Sequence, residues 1–429
     1  MQFCTRCLYT DQHPLHLTFD KHGVCSGCRI HDEKDVLDWR ERGERLRIIL
    51  EQYRCRSGNN YDCIVPVSGA RDSYFIVHTI KNVYRMNPLL VTYNKQYNTA
   101  VGVRNLANLR TRFDCDIMTL TGNPEMVKKI TRSTMRQFGS IYWHCLAGQT
   151  VYPVQMATKL KIPLIVWGAH QGVDQVGMFS HLDEVEMTRK YRKEHDLMGY
   201  EAEDLINDFD NITEKDITTF QYPDNREIEQ VGVRGIYLNN YLRWDSRKQH
   251  EMMIAKYGYE TALQARTFDT YNDVDCWNYS DVHDYIKVIK YGYSKVVDHA
   301  CREIRLRSMS RATGIKLVKK HMVAKPRNVK LYLDWLGITE NALHYIIDQH
   351  RKTTLWRRNE KWNWEMKNDY IKGLIQSEEK TKGRSDNCSY QSFLKSKKGK
   401  SSDSEDKYIL IGKGTYENPK EQKPINPLK

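Results

Sequence analysis

The chain has 429 residues, with 67 Lys and Arg against 54 Asp and Glu and a formal net charge of +13. That length exceeds one ordinary domain, so two or three domains are expected. No apolar run approaches the roughly 18 residues of a membrane span, and no apolar segment follows Met1-Gln2-Phe3-Cys4, so a soluble, cytoplasmic chain is expected. Eleven cysteines without a secretion signal argue for thiols and metal ligands over disulfides. The positive balance allows a polyanionic partner, nucleic acid or a smaller phosphate-bearing molecule, and does not separate the two.

The first element is a pair of cysteine turns. Cys4-x-x-Cys7 and Cys25-x-x-Cys28 are separated by seventeen residues, the pattern of a tetrahedral zinc site held by two turns. Four thiolates leave no open coordination position, which points to a structural role. His13, His16 and His22 lack comparable spacing and read as loop residues. From Asp32 to Tyr53 the pattern is a charged amphipathic helix carrying Val36, Trp39, Leu46, Ile49 and Leu50. It ends near Ser57-Gly58-Asn59-Asn60.

A βα alternation follows. Strands are expected at Cys63–Val67, Leu89–Tyr93, Asp116–Leu120 and Pro163–Trp167. Helices are expected from Ser73 to about Arg85, over Val103–Arg112, from Pro124 to Phe138 and around Val151–Leu160. The alternation implies an α/β fold with a doubly wound, mostly parallel sheet. Ligands of such sheets sit beyond the strand C-termini, where Ser68–Ser73, Tyr93–Asn98 and Gly168–Gln171 would converge. The polar stretch to about Val233 reads as an insertion over that edge, and helical patterns dominate from Tyr241 to about Ile375. From Ser377 the composition shifts to Lys, Ser, Asp, Glu and Asn, as in a mobile tail, with one short strand possible at Tyr408–Ile411. The expected organisation is a four-Cys segment (1–31), a linker helix (32–57), an α/β core (58–180), an insertion (181–240), a helical region (241–376) and a tail (377–429).

Residues 61–73 read YDCIVPVSGARDS. A strand, a small hydroxyl-rich turn and a helix aim backbone N–H groups at a bound anion. The Lys-Ser/Thr ending of a Walker loop is missing. Ser68 and Ser73 can donate hydrogen bonds to phosphate oxygens, Gly69 admits close backbone approach, Asp72 can hold Mg²⁺ and Arg71 can neutralise phosphate charge. The plain alternative is an ordinary strand–turn–helix corner capped by Asp72 or Ser73. Cys63, Cys115 and Cys145 read as buried apolar thiols, and the adjacent His144 and Cys145 should point apart. Between 281 and 311 the density of His283, Asp284, Lys287, Tyr293, Asp298, Arg302, Arg305 and Arg307 exceeds that of a simple apolar packing face, although solvated ion-paired helices are the ordinary explanation.

Ser68-Gly69-x-x-Asp72-Ser73 resembles the PP-loop of ATP pyrophosphatases, of adenine nucleotide alpha-hydrolase-like fold. The resemblance implies ATP binding by Ser68, Gly69, Ala70, Arg71, Asp72, Ser73, Tyr93 and Gly168, with Ser68, Asp72 and Ser73 catalytic in adenylation. From FCTRCLYTD at Phe3 to about Trp356 the chain is similar to the N-acetyl sugar amidotransferase family of bacterial surface-polysaccharide and flagellin-glycan pathways. The blocks that carry this are the four-Cys segment, YDCIVPVSGxxDS, VTYN and GVRNLANL within 91–109, IPLIVWG at 162–168, RWDSRK at 243–248 and HDYIKVIKYGY…DHACREIR within 283–305. The resemblance implies ATP- and Mg²⁺-dependent conversion of an acetamido group to acetamidino on a nonulosonic acid, such as a pseudaminic or legionaminic derivative, or on a nucleotide-sugar. AMP and pyrophosphate would be released. Ammonia would come from a glutamine amidotransferase and its histidine-biosynthesis-like partner subunit. An acidic acceptor would be held by His283, Lys287, Arg302 and Arg305, and zinc by Cys4, Cys7, Cys25 and Cys28.

Two positions depart from the family pattern. Ala70 stands where the loop usually has Gly, and a φ > 0 there would cost on the order of 1 kcal/mol. Ala169 replaces an acidic residue, which moves any metal role to Asp72 or a nearby carboxylate such as Asp174. A tRNA-thiolating PP-loop enzyme is a rival expectation, weakened by the lack of a further Cys-x-x-Cys pair. An inactive nucleotide-binding or zinc-scaffold protein is another.

Overall fold

A computed structural model describes residues 1–15, 17–208, 211–367 and 369–381. His16 and the expected strand at 408–411 lie outside the described residues. The centre is a five-stranded sheet of β1 (Cys63–Pro66), β2 (Pro88–Tyr93), β3 (Ile117–Leu120), β4 (Leu164–Trp167) and β5 (Arg234–Tyr237). Its order is β3-β2-β1-β4-β5, and every neighbouring pair is parallel. β1, β2 and β4 are near-continuous apolar runs because helices cover both of their faces. β3 lies at an edge and is half exposed.

The order reverses between β1 and β4, and their C-terminal ends open the crevice where such sheets take ligands. β5 corrects the expectation of a simple insertion over 181–240. Its four residues begin with a charged Arg234, which hides the strand pattern. That charge is matched inside the fold, where the Arg234 guanidinium meets the buried Glu186 carboxylate at 2.7 Å. Gly235 leaves room for Met187, which an added Cβ would meet at 2.7 Å.

The helix expected from about Val151 begins earlier and spans Trp143–Leu160, with Pro153 in its interior. The linker helix spans Trp39–Tyr53 and belongs to the α/β layer, because Leu46, Leu50 and Tyr53 pack into the same core as Val65, Ile76 and Leu164. The four-Cys segment is likewise no separate unit. Its thiols, Leu8 and Tyr9 share one apolar cluster with Val296, Val297, Ala300, Cys301 and Val318 of the C-terminal helices. Helices dominate after Ser246, but Trp356–Arg358 and Trp364–Met366 form an antiparallel hairpin. A closing helix covers Tyr370–Thr381, past the expected start of the tail. Among the described residues no helix is long and apolar enough to cross a membrane.

Candidate functional site

β1 delivers the loop Ser68–Ser73 to the crevice, where it folds on its own hydroxyls. The Ser68 N–H donates to Ser73 Oγ at 3.0 Å, and the Ala70 N–H donates to Ser68 Oγ at 3.4 Å. Gly69 adopts φ +80°, and an added Cβ would meet the Gly102 carbonyl at 3.0 Å. Glycine is therefore required at 69. Ala70 sits at φ −85°, ψ 170°, an ordinary extended conformation that caps the helix Arg71–Val77. The strain expected from alanine there does not arise.

Beside the loop is a cavity of about 280 Å³ lined by Ser68, Thr92, Lys95, Gly102, Leu106 and Asp275, among others. Lys95 Nζ and the Asp275 carboxylate form a buried pair at 2.8 Å. The segment bearing Asp275 is fixed by Thr99, whose N–H donates to the Asp275 carbonyl and whose hydroxyl donates to the Val274 carbonyl. Gly102 lets this segment close in, since an added Cβ would strike Asp275 Cα. Lys95 and Asp275 carried no motif in the sequence. They meet across 180 positions. A larger recess of about 480 Å³ near Arg54, Asp62 and Lys81 lies at the opposite, N-terminal end of β1, away from the loop.

Arg71 is buried rather than free for a phosphate. It pairs with Asp72, donates to Gln249 Oε1 at 3.2 Å and lies 5.4 Å over the Tyr271 ring. The Asp72 side chain keeps 43% of its surface exposed. Partial enclosure pushes its carboxyl above the usual range, against the pull of Arg71, while the Asp174 charge adds to the rise. Asp174 follows the β4 turn and is held by Lys34. In that turn His170 is buried, accepts the Gly172 N–H at Nδ1 and is pushed down to about 3 by burial, so it is neutral.

The remaining expected residues separate. Arg302 stays near the loop, lying 5.0 Å over the other contact of Arg71, the Tyr271 ring, but it is committed to Asp269 at 2.6 Å and Glu303 at 2.9 Å. Lys287 pairs with Asp298 at 3.0 Å and covers the Tyr293 ring. The His283 ring packs beside Tyr142, and burial pushes it down to about 4. Arg305 faces the cysteines, not the crevice. Gly168 serves packing, because an added Cβ would meet Ile76 and Trp244. The Tyr93 ring packs on Gly148, and its hydroxyl bonds His144 Nδ1 at 3.2 Å. His144 and Cys145 do not point apart, since Cys145 Sγ lies 3.5 Å from His144 Nε2. Burial raises the Cys145 thiol and lowers His144 to about 3, which leaves both neutral and makes a poor nucleophile–base pair.

The four N-terminal thiols converge within 4.8 Å of one another, fully buried. Cys7 and Cys25 sulfurs are 3.6 Å apart, and those of Cys4 and Cys28 are 4.0 Å apart. Metal–sulfur bonds of about 2.3 Å around one tetrahedral ion impose separations of about 3.8 Å. Cys4 Sγ also accepts the N–H groups of Arg6, Cys7 and Cys25 at 3.3–3.4 Å, which suits a thiolate. The site is compatible with a metal ion.

The family described as LPS biosynthesis protein WbpG-like, C-terminal domain, matches residues 265–369. An uncharacterized protein of Methanocaldococcus jannaschii is 23% identical over 120 residues, 27% of this chain and 42% of that protein's length. Among solved structures, the NH3-dependent NAD synthetase of Campylobacter jejuni overlaps 43% of this chain and 92% of its own at 12% identity and a TM-score of 0.27. An NMN synthetase from Francisella tularensis overlaps 53% and 98% at 13% identity and a TM-score of 0.26. The U34-tRNA thiolase of Methanococcus maripaludis, with its 4Fe-4S cluster, overlaps 79% and 98% at 11% identity and a TM-score of 0.27. Overlaps this weak carry no argument about the reaction.

Proposed function

We propose that this chain, an N-acetyl sugar amidotransferase-like PP-loop protein, uses ATP to turn the acetamido group of a bacterial surface sugar into an acetamidino group. The observation that carries this reading is the closure of the loop's crevice by the WbpG-like region. Asp275 lines the cavity beside Ser68, and Arg71 of the loop and Arg302 both lie over the Tyr271 ring. A sugar-pathway domain thus forms one wall of the candidate nucleotide site.

An amide carbon is a poor electrophile because its nitrogen donates into the carbonyl. In the proposed reaction the acetamido oxygen attacks the α-phosphorus of ATP, and pyrophosphate leaves with the bonding electrons. Ammonia then adds to the activated carbon, AMP departs with its oxygen, and the amidine keeps a proton as a cation. Ser68, Ser73 and the loop N–H groups would hold phosphate oxygens, and Asp72, with Asp174 nearby, would hold Mg²⁺. No covalent enzyme nucleophile is needed. The four cysteines would hold a structural zinc. Ammonia would reach the site from a glutamine amidotransferase with a histidine-biosynthesis-like partner, and the acceptor would be a nonulosonic acid of pseudaminic or legionaminic type, free or nucleotide-linked, in lipopolysaccharide or flagellin-glycan synthesis. Arg302 is the one expected acceptor contact that remains beside the loop, and it would act through its Asp269 pair.

Incubation with candidate sugars, ATP, Mg²⁺ and ammonium should release AMP and pyrophosphate and exchange one oxygen for nitrogen in the sugar by mass. Asp72→Ala should abolish both products while leaving the circular dichroism unchanged. Formation of ADP and phosphate would overturn the adenylation reading.

A further inference from the structure

The thiol cluster has a fifth buried neighbour. Arg305, on the helix Lys295–Arg305, reaches Cys25 Sγ at 3.7 Å and Cys7 Sγ at 3.9 Å with one terminal nitrogen. Its other terminal nitrogen donates to the Gln175 carbonyl at 2.5 Å, and the guanidinium lies 5.1 Å over the Tyr9 ring. Gly27 makes the slot, since an added Cβ would overlap the guanidinium. A divalent ion on four thiolates carries two net negative charges, and burying that charge is costly without a cation beside it. Arginine suits this place because its rigid fork serves two partners at once, which a lysine ammonium does not do in the same geometry.

Gln175 belongs to the loop after β4. The preceding Asp174 bears electrostatically on Asp72 and is held by Lys34, and Ser26 Oγ, next to Cys25, donates to the Val176 carbonyl at 2.8 Å. Gly177 presses against the Ser26 backbone. The cysteine segment therefore grips one side of the candidate nucleotide crevice.

We propose that Arg305 is a positioning residue that neutralises the four-cysteine metal centre from its outer shell and couples it to the loop 171–178 at the edge of the crevice. This rests on the four cysteines holding a metal. Two hydrogen bonds to sulfur withdraw electron density from the thiolates, so their loss alters the metal as well as the packing.

The test uses the full chain with Arg305→Gln and Arg305→Lys. Chelator competition should show about a 10–100-fold weaker metal site in Arg305→Gln, with part of the loss restored in Arg305→Lys. In the cobalt-loaded chain the sulfur-to-cobalt charge-transfer band should move to lower energy in Arg305→Gln, a change that packing alone does not produce. Hydrogen exchange at 171–178 should quicken in metal-saturated Arg305→Gln while β1 and β4 stay protected. Unchanged affinity, an unchanged band or unchanged exchange in that variant would each overturn the coupling. If Arg305→Gln does not fold, chelating the wild-type metal must quicken exchange at 171–178 before the sheet opens, and no such change would overturn it. A folded wild-type chain that takes up no metal by elemental analysis overturns the metal reading itself.

Discussion

The thiol cluster takes its four sulfurs from two turns within the first 28 residues, whereas the candidate nucleotide crevice takes its walls from residues as distant as Ser68 and Asp275. In the first, identical side chains at fixed spacing converge and exclude water. In the second, a backbone loop does the cradling, and the groups around it come from a different region of the chain. Both depend on the helix Lys295–Arg305, which carries Arg305 to the cysteines and, three residues earlier in sequence, Arg302 to the Tyr271 ring that Arg71 also covers. Two expected acceptor contacts thus turn out to face two different sites.

Substitutions at the two sites should separate them. Cys25→Ser should have the largest effect, releasing the proposed metal and loosening 1–31 together with Lys295–Arg305, since both lie in one apolar cluster. Metal binding of this type is worth about 10–16 kcal/mol in small zinc domains, and elemental analysis with thermal melting reads the loss. If the N-terminal segment unfolds alone, the shared core is wrong.

Arg302→Ala should come next, at about 3–5 kcal/mol in urea unfolding, because it removes the closest cation from the fully buried Asp269 carboxylate and leaves it the N–H donors of Tyr271 and Asn272. Burial alone would raise the Asp269 carboxyl, but Arg302 and His299 hold it well below its usual range. A lowered folded-state value stabilises the fold above the unfolded-state value of about 3.9, and that contribution is lost progressively as pH falls from there through the folded-state value. The gap between wild type and variant should therefore narrow below about pH 4. An effect confined to the sugar's KM, with stability unchanged, would instead make Arg302 a direct acceptor contact.

The smallest effects belong to the loop backbone, and their asymmetry is the informative part. Gly69→Ala should cost about 1–2 kcal/mol through its left-handed φ, and should also weaken ATP binding by pressing on Gly102 and Leu106. Ala70→Gly should change stability by only about a few tenths of a kcal/mol, because its backbone is already extended and glycine's better capping is set against its greater freedom in the unfolded chain. Equal ATP affinities for these two variants would show that the cradle differs from the one described here.

Short-range chemistry was readable in advance. The strands Cys63–Pro66, Pro88–Tyr93 and Leu164–Trp167 are apolar runs bounded by turn residues, and the helix Pro124–Phe138 carries its own start and stop in Asn123, Pro124 and Gly139. β5 was not readable, because its leading arginine is neutralised by Glu186, 48 residues earlier. The helix Trp143–Leu160 was half readable: the expectation covered Val151–Leu160, Pro153 included, and missed Trp143–Thr150.

By itself the sequence determined the four-cysteine spacing, the strand–turn–helix loop and the alternation that yields a parallel sheet, because each depends on residues close enough in the chain to constrain one another directly. The tertiary structure decided which charges remain available. Arg71 turns inward to Gln249, Lys287 to Asp298 and Arg305 to the thiols, while Lys95 and Asp275 meet at the cavity. A buried charge must find a partner wherever the fold provides one, and packing rather than the local pattern fixes that partner, from 11 positions away for Lys287 and Asp298 to 180 for Lys95 and Asp275.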